Sequence, residues 1–346
     1  MSGGGIVEAR IIGLKGCGKS TLMAALSEGR AEGQVATVRM GDDRVRRLSE
    51  VFQPKKTTFA EFRVREAAWT EASARKGELE RYLDQLAGAQ VFLHVLRAFD
   101  SPMLADPPDP VRDLLALDNE LVLADLIAVE RAFERAKKQP LSDIGRRALG
   151  RCHDSLEAET PLRDLDLDHD ELAFVRNYQL LTLVPQLLLA DTESGGEPDP
   201  ATTAPVLEHA QGRQLIAFPF SDAAEVARLS PEEQIEFADA LGLPGPADEI
   251  VTHAAFAQLG LISFLTTGED EVRAWPVRRG ETARQAAGAI HSDIERGFIR
   301  AEIVSYEDFM SHGASMKACR EAGVLRIEGK DYVMDDGDIA NFRFNV

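Results

Sequence analysis

The sequence is short of cysteine, of aromatic residues and of positive charge. Its three cysteines, Cys17, Cys152 and Cys319, stand far apart. So sparse and odd a set excludes a disulfide framework, and no zinc-type spacing occurs, so reduced thiols are expected. Lys and Arg number 39 against 58 Asp and Glu, a formal net charge of −19. That balance excludes broad adhesion to nucleic acid, although a local basic patch can still dock on RNA phosphates. No apolar run approaches the roughly 18–20 residues needed to span a bilayer. The opening residues "MSGGGIVEAR" lack the basic and then apolar order of a secretory leader. A cytoplasmic, non-membrane protein is therefore expected, and a monomer. Hydrophobic content of 44% with 28% charged residues is ordinary for a globular chain, and 346 residues suffice for two or three domains.

Apolar runs at 6–12, 89–99, 182–191 and 214–221 read as strands, several continuous enough for the centre of a parallel sheet, and 58–67 alternates enough to be another. The stretch after the first, "KSTLMAALSEG", reads as a helix closed by Gly29. Strands separated by helical stretches indicate an α/β sheet with crossover helices. Residues 109–139, and 141–159 after Pro140, carry helical apolar spacing and read as a helical hairpin inserted into that domain. "TESGGEPDPATTAP" is a turn-rich loop. From about residue 262, short strands with turns around one helix make a separate α+β module.

Between the first strand and its helix lies "GLKGCGKST". The pattern G-x-x-x-x-G-K-[ST] is met by Gly13, Gly18, Lys19 and Ser20. The glycines let successive backbone N–H groups turn towards phosphate oxygens, and the helix adds its positive end. Lys19 is placed to reach the β and γ phosphates, and Ser20 to ligate Mg²⁺. Gly13, Lys15, Gly16, Cys17, Gly18, Lys19, Ser20 and Thr21 are thus the candidate nucleotide-binding set, with Ser20 the candidate metal ligand. Oxidation of Cys17 would block nucleotide; a small residue fitting a tight turn is the plainer reading.

The C-terminal "GEDEVRAWPVRRGETARQAAGAIHSDIERGFIRAEIVSYEDF" and "EGKDYVMDDGDIANFRFNV" resemble the TGS-type, ubiquitin-like end of the YchF, or Obg-like ATPase, family. "DPVRDLLALDNELVLADLIAVE" resembles the start of that family's helical domain, "HVLRAFD" the strand before it, and "DDRVRRLSEVFQPKK" the stretch after switch I. The resemblance runs over almost the whole chain. It implies a Ras-like P-loop NTPase domain (1–108 and 181–260), an inserted helical arm (109–180) and a C-terminal TGS, β-grasp domain (261–346). It further implies a cytoplasmic protein that binds ATP in preference to GTP, with Mg²⁺, hydrolyses it slowly and associates with ribosomes.

Three departures from the family pattern stand out. The switch I motif is missing between the first helix and "DDRVRRL"; Thr37 lies there without it. The "D-x-A-G" of switch II is replaced by "REAAW", with Val64 or Arg65 at the aspartate's position, Ala67 or Ala68 at the glycine's, and "TEASARKGELERY" as a shortened switch. Glu66 is a nearby carboxylate, but a one-residue shift along a strand turns a side chain to the other face. The base-reading N-x-x-E falls at "LLLADTES", with Asp191 for Asn and Glu193 or Ser194 for Glu. An aspartate accepts but cannot donate as Asn does, so base preference stays open between ATP and GTP. The loop that grips phosphates is kept while the loops that act on the third are reduced, so binding with weak or absent hydrolysis is expected and no catalytic residue is assigned. The alternatives are a slow Mg-dependent ATPase or GTPase drawing a carboxylate from a place such as Glu66, and an interaction protein with a vestigial loop.

Other candidates read plainly. His94, in a buried strand, is a satisfied core histidine rather than a base, and the remaining histidines make no metal set. Arg46, Arg47, Lys55 and Lys56, and Arg273, Arg278, Arg279 and Arg284, form basic stretches that are either solvated surface or contacts for ribosomal RNA. Asp164, Asp166, Asp168 and Asp170 lack the glycine and terminal glutamate of a calcium loop and read as a solvated turn or protein-contact surface.

Overall fold

The computed structural model describes residues 6–27, 31, 33–68, 78–195 and 199–345. Its strands are β1 (Ile6–Ile12), β2 (Val35–Arg39), β3 (Lys56–Thr58), β4 (Glu61–Glu66), β5 (Val91–Ala98), β6 (Gln186–Thr192), β7 (Leu215–Phe218), β8 (Leu261–Thr266), β9 (Glu271–Arg278), β10 (Phe298–Val304), β11 (Arg326–Glu328) and β12 (Ile339–Phe344). They form two six-stranded sheets, ordered β2-β4-β1-β5-β6-β7 and β11-β10-β12-β8-β9-β3. No helix among the described residues is long and apolar enough to cross a membrane.

The α/β architecture expected from the apolar runs is present. β1 pairs with β5, β5 with β6 and β6 with β7, all in parallel. Strands β5 and β6 are buried almost throughout, which is why they read as unbroken apolar runs rather than alternating ones. β2, absent from the apolar runs, extends the sheet beyond β4 through "VATVR". Gly29 and residues 69–77 of the shortened switch lie outside the described residues.

By internal contacts the chain divides into two compact units, residues 8–36 with 64–250, and residues 1–7, 37–63 and 251–346. In the first, helix α1 (Lys19–Leu26) follows β1. The expected hairpin consists of a long helix (Pro110–Ala136), a second (Asp143–Glu157) and a short third (His169–Val175). Asp109 and Ser142 cap the first two, and Pro110 occupies the first turn of the long helix. Val129, Leu149, Leu156, Leu162 and Val175 form its core. The acidic stretch proves to be a cap with counter-ions: Asp168 and Glu171 form a capping box, and Glu171 takes Arg147 at 2.7 Å and Arg151 at 2.5 Å.

The second unit holds the C-terminal sheet with helices on both faces. Ala283, Ala286 and Ala287, from the helix Ala283–Ile290, pack with Phe264, Trp275 and Val277. Val45 and Leu48, from helix α2 (Asp43–Phe52), pack with Leu265 and Val272, alternate side chains of the same strands, and with Phe309 of the helix Tyr306–Ser311. Two expectations change here. Residues 37–63, placed by the sequence in the nucleotide domain, group with the C-terminal segment, because β3 pairs in parallel with β9 and α2 covers that sheet. The single expected helix becomes four short ones, 283–290, 292–296, 306–311 and 316–321, each begun by a polar cap that a short window does not separate from a turn.

Phe264 is fully buried between Trp275 and Phe342. Phe264→Ala is expected to lower stability by about 3–5 kcal/mol, read as a reduced midpoint in urea unfolding followed by circular dichroism.

Candidate phosphate-binding site

The loop closes directly on the parallel strands. β1 ends at Ile12, which lies opposite His94 of β5, so Gly13 starts the turn against Val95. A Cβ on Gly13 would stand 2.6 Å from the Val95 carbonyl oxygen and 2.7 Å from Cys17 Sγ. One on Gly18 would stand 2.2 Å from Asp191 Oδ2. Both glycines also have positive φ, 148° and 102°. Steric room and backbone conformation therefore both demand glycine at the two ends of the turn.

Lys19 is buried, and its Nζ donates to the carbonyls of Gly13 at 2.9 Å and Leu14 at 2.7 Å. The ammonium thus lies folded across the mouth of its own loop. Lys15, Gly16 and Ser20 are exposed, Gly18 and Thr21 half-buried, and Cys17 fully buried. Burial pushes the Cys17 thiol up to about 11, against the pull of the nearby Lys19 charge and N–H. That burial favours the plainer reading, an inert small residue in a tight turn, over a redox role.

Around the loop the three departures resolve differently. Thr37 is an exposed residue within β2 and Val64 a buried one within β4. Ala67 N–H donates to the Ile11 carbonyl, continuing β4 alongside β1. Glu66, expected to turn away, does not. Phe62, Val64 and Glu66 share one face of β4, and both Glu66 carboxylate oxygens lie 3.0 Å from Ser20 Oγ. Glu66 lies one residue along β4 from Arg65 and two from Val64, so it shares the face of Val64.

Asp191, at the end of β6, is buried and accepts from Phe220 N–H at 2.9 Å. Burial raises its carboxyl to about 7 against that N–H, with the Asp222 and Glu193 charges adding to the rise. Glu193 is exposed and accepts from Asp100 N–H at 2.6 Å, while Ser194 Oγ and Gly195 N–H donate to Asp222. The fold thus brings Asp191 to the loop glycine, whereas Glu193 is turned to another backbone segment. Asp222 was not singled out from the sequence; only its place after "FPFS" marks it.

Away from the loop, His94 is a buried core residue with Gln186 beside its ring, and its pKa is lowered to about 4, chiefly by burial. His153 does gather carboxylates, contrary to expectation: its ligand atom and those of Asp154 and Glu157 lie within 4.8 Å of one another on one helix. The basic stretches meet carboxylates. Arg46 pairs with Asp43 at 2.6 Å, Lys55 with Asp270 at 2.7 Å and Lys56 with Glu271 at 3.3 Å. Arg273 stacks 3.8 Å over the Trp275 ring, beside a cleft of about 210 Å³ that Arg39, Lys56 and Thr58 also line.

Comparison with known proteins gives a consistent set of relatives. Residues 261–345 match the family model YchF-GTPase_C, described as "Protein of unknown function (DUF933)". The "Ribosome-binding ATPase YchF" of Bacillus subtilis is 35% identical over 365 residues, covering 98% of this chain and 100% of that one. Its counterpart in Escherichia coli O157:H7 is 36% identical, covering 97% and 98%. Among solved structures, the Schizosaccharomyces pombe YchF GTPase superposes with a TM-score of 0.85 at 27% identity over 99% of both chains.

Two outcomes are expected at the site. The folded protein keeps a proton on Asp191 up to about pH 7 that the unfolded chain releases near 3.8. Folded-state proton binding exceeds that of the unfolded chain across this window, so this group's contribution to stability falls as pH rises through it. Asp191→Asn should flatten that slope in thermal melts between pH 4 and 7 and leave the variant the more stable above it, by an amount of order a few kcal/mol. All three cysteines are buried. At pH 8 a thiol held near 11 is on the order of 100-fold less ionised than a free one, so Cys17 should react with an aromatic disulfide reagent only after denaturation.

Proposed function

The chain belongs to the YchF family, and from that premise we propose that it is a cytoplasmic, ribosome-associated factor that binds a purine nucleotide, ATP ahead of GTP, with weak or absent hydrolysis. The observation that carries the reading is the loop itself. Gly13 and Gly18 admit the close turn, Lys19 sits at its mouth, and α1 begins immediately beyond. Incoming phosphate oxygens would take the Lys19 ammonium from the Gly13 and Leu14 carbonyls, exchanging neutral acceptors for charged ones. Support for ATP and for the ribosome comes from relatives spanning nearly the whole chain and named ribosome-binding ATPases. Asp191 and Glu193 each engage one carboxylate oxygen, with the Phe220 and Asp100 N–H groups respectively, and each keeps a second oxygen.

The residues beside the loop fit Mg²⁺. Ser20 offers a hydroxyl and Glu66 a carboxylate, hard oxygen donors of the kind that ion takes, usually with several waters retained. Bound there, the ion would neutralise charge on the nucleotide's terminal phosphates. Ser20 would be its protein ligand. Thr37 and Val64 stand in strands. A slow hydrolase is the second reading, and the contact of Glu66 with Ser20 is what favours it.

Calorimetric titration of the nucleotide-stripped protein with ADP, ATP and GTP, beside Lys19→Ala, tests the binding. Micromolar affinity reduced about 100-fold or more in the variant is expected, since several charge-assisted hydrogen bonds disappear together. No binding of any nucleotide would leave a vestigial loop. Turnover should not exceed the unassisted rate of P-loop GTPases, about 10⁻⁴–10⁻³ per second, and co-sedimentation with ribosomes checks the partner.

A further inference from the structure

We propose that Glu66 is this chain's metal-positioning carboxylate, holding a water of the nucleotide-bound divalent cation beside Ser20 and so replacing the aspartate that switch II lacks. The inference rests on the nucleotide-binding reading above and deepens it.

Geometry carries it. Ser20 lies in the first turn of α1, next to Lys19, whose Nζ marks the phosphate side of the loop. Its hydroxyl is exposed on that side and donates to Glu66, whose two oxygens stand equally at 3.0 Å. Among the described residues no other carboxylate is hydrogen-bonded to Ser20 or Thr21. The two candidates that the sequence aligned with the missing aspartate fail on chemistry: Val64 has no polar atom, and Arg65 is an exposed cation. Glu66 instead closes β4, its N–H fixed to the Gln34 carbonyl at 3.0 Å while Ala67 N–H is fixed to the Ile11 carbonyl at 2.9 Å. Backbone pairing on both sides therefore sets the point from which the side chain extends, and its extra methylene gives it reach.

A plain structural hydrogen bond would also set a serine against a glutamate. Charge separates the two roles. A divalent ion that retains waters presents their O–H groups as donors, and a nearby anion both accepts them and offsets the ion's charge. A neutral amide can accept from Ser20 equally well but cannot supply the charge. Glu66→Gln thus keeps the structural bond and removes the proposed role.

The test uses the full chain and Mn²⁺ as probe. Mn²⁺ is titrated by electron paramagnetic resonance into protein saturated with ADP, and ADP affinity is measured separately by calorimetry in EDTA. Glu66→Gln should weaken Mn²⁺ binding about 10–100-fold, the range for losing an outer partner of a metal ligand, with ADP affinity in EDTA within about twofold of the parent. Glu66→Asp, which keeps the charge on a shorter arm, should fall between the two and serves as well if the glutamine variant does not fold. Unchanged Mn²⁺ affinity in folded Glu66→Gln, with ADP still bound, would overturn this inference alone and leave a structural hydrogen bond. Failure of the parent protein to bind ADP under either condition would overturn the nucleotide-binding reading and this one with it.

Discussion

Close approach of the phosphate loop to two strand ends is the constraint on which the site depends. β1, β5 and β6 run parallel and in register, so Ile12 meets His94 and Arg97 meets Asp191. The loop leaving β1 must then pass over the Val95 carbonyl and under the Asp191 carboxylate, where a single Cβ at either end would collide. Glycine at 13 and 18 satisfies both. Once the turn is fixed, Lys19 and Ser20 fall on consecutive positions of α1, one directed back across the loop and the other towards β4. The site is the outcome of ladder register plus two missing side chains. It lies outside the carboxyl ends of parallel strands, the usual place for a ligand in an open α/β sheet.

An acidic chain must find partners for its carboxylates, and much of this one's charge is used internally. Asp125 is buried and accepts from Leu181 N–H, Thr182 N–H and Thr182 Oγ1, holding the segment that leaves the helical arm. Asp118 lies between Arg163 at 2.8 Å and Arg213 at 2.9 Å, in a cluster that includes Gln186. Broken singly, such pairs leave an uncompensated buried charge, so they tie elements together more than they add stability. The same internal pairing accounts for the basic stretches. Lys55 and Lys56 meet Asp270 and Glu271 because β3 and β9 pair, and Arg44 meets Asp42 and Asp336. A nucleic-acid contact at this face has to compete with those carboxylates.

Function follows from which parts of a nucleotide switch are present. The phosphate loop is intact in backbone and side chain, and Glu66 restores an anion beside Ser20. Among the described residues, Thr37 belongs to a strand, and residues 37–63 group with the C-terminal segment. A segment held by strand pairing and by the packing of Val45 and Leu48 has much less freedom to act as a loop that a γ-phosphate gathers in.

By itself the sequence determined the α/β class, the inserted helices, the C-terminal module and the phosphate loop. Each of these is written locally: continuous apolar runs for doubly covered strands, helical spacing with Asp109 and Ser142 as caps, and glycines at set intervals before Lys19 and Ser20. Tertiary structure alone decided three things. Lys56–Thr58 pair with Glu271–Arg273 of the C-terminal sheet; Asp191 faces the loop while Glu193 does not; Glu66 reaches Ser20 across 46 positions of chain. All three depend on strand register between distant segments. Since a shift of one residue reverses every side chain, local periodicity narrows the choice to two faces and only the pairing selects one.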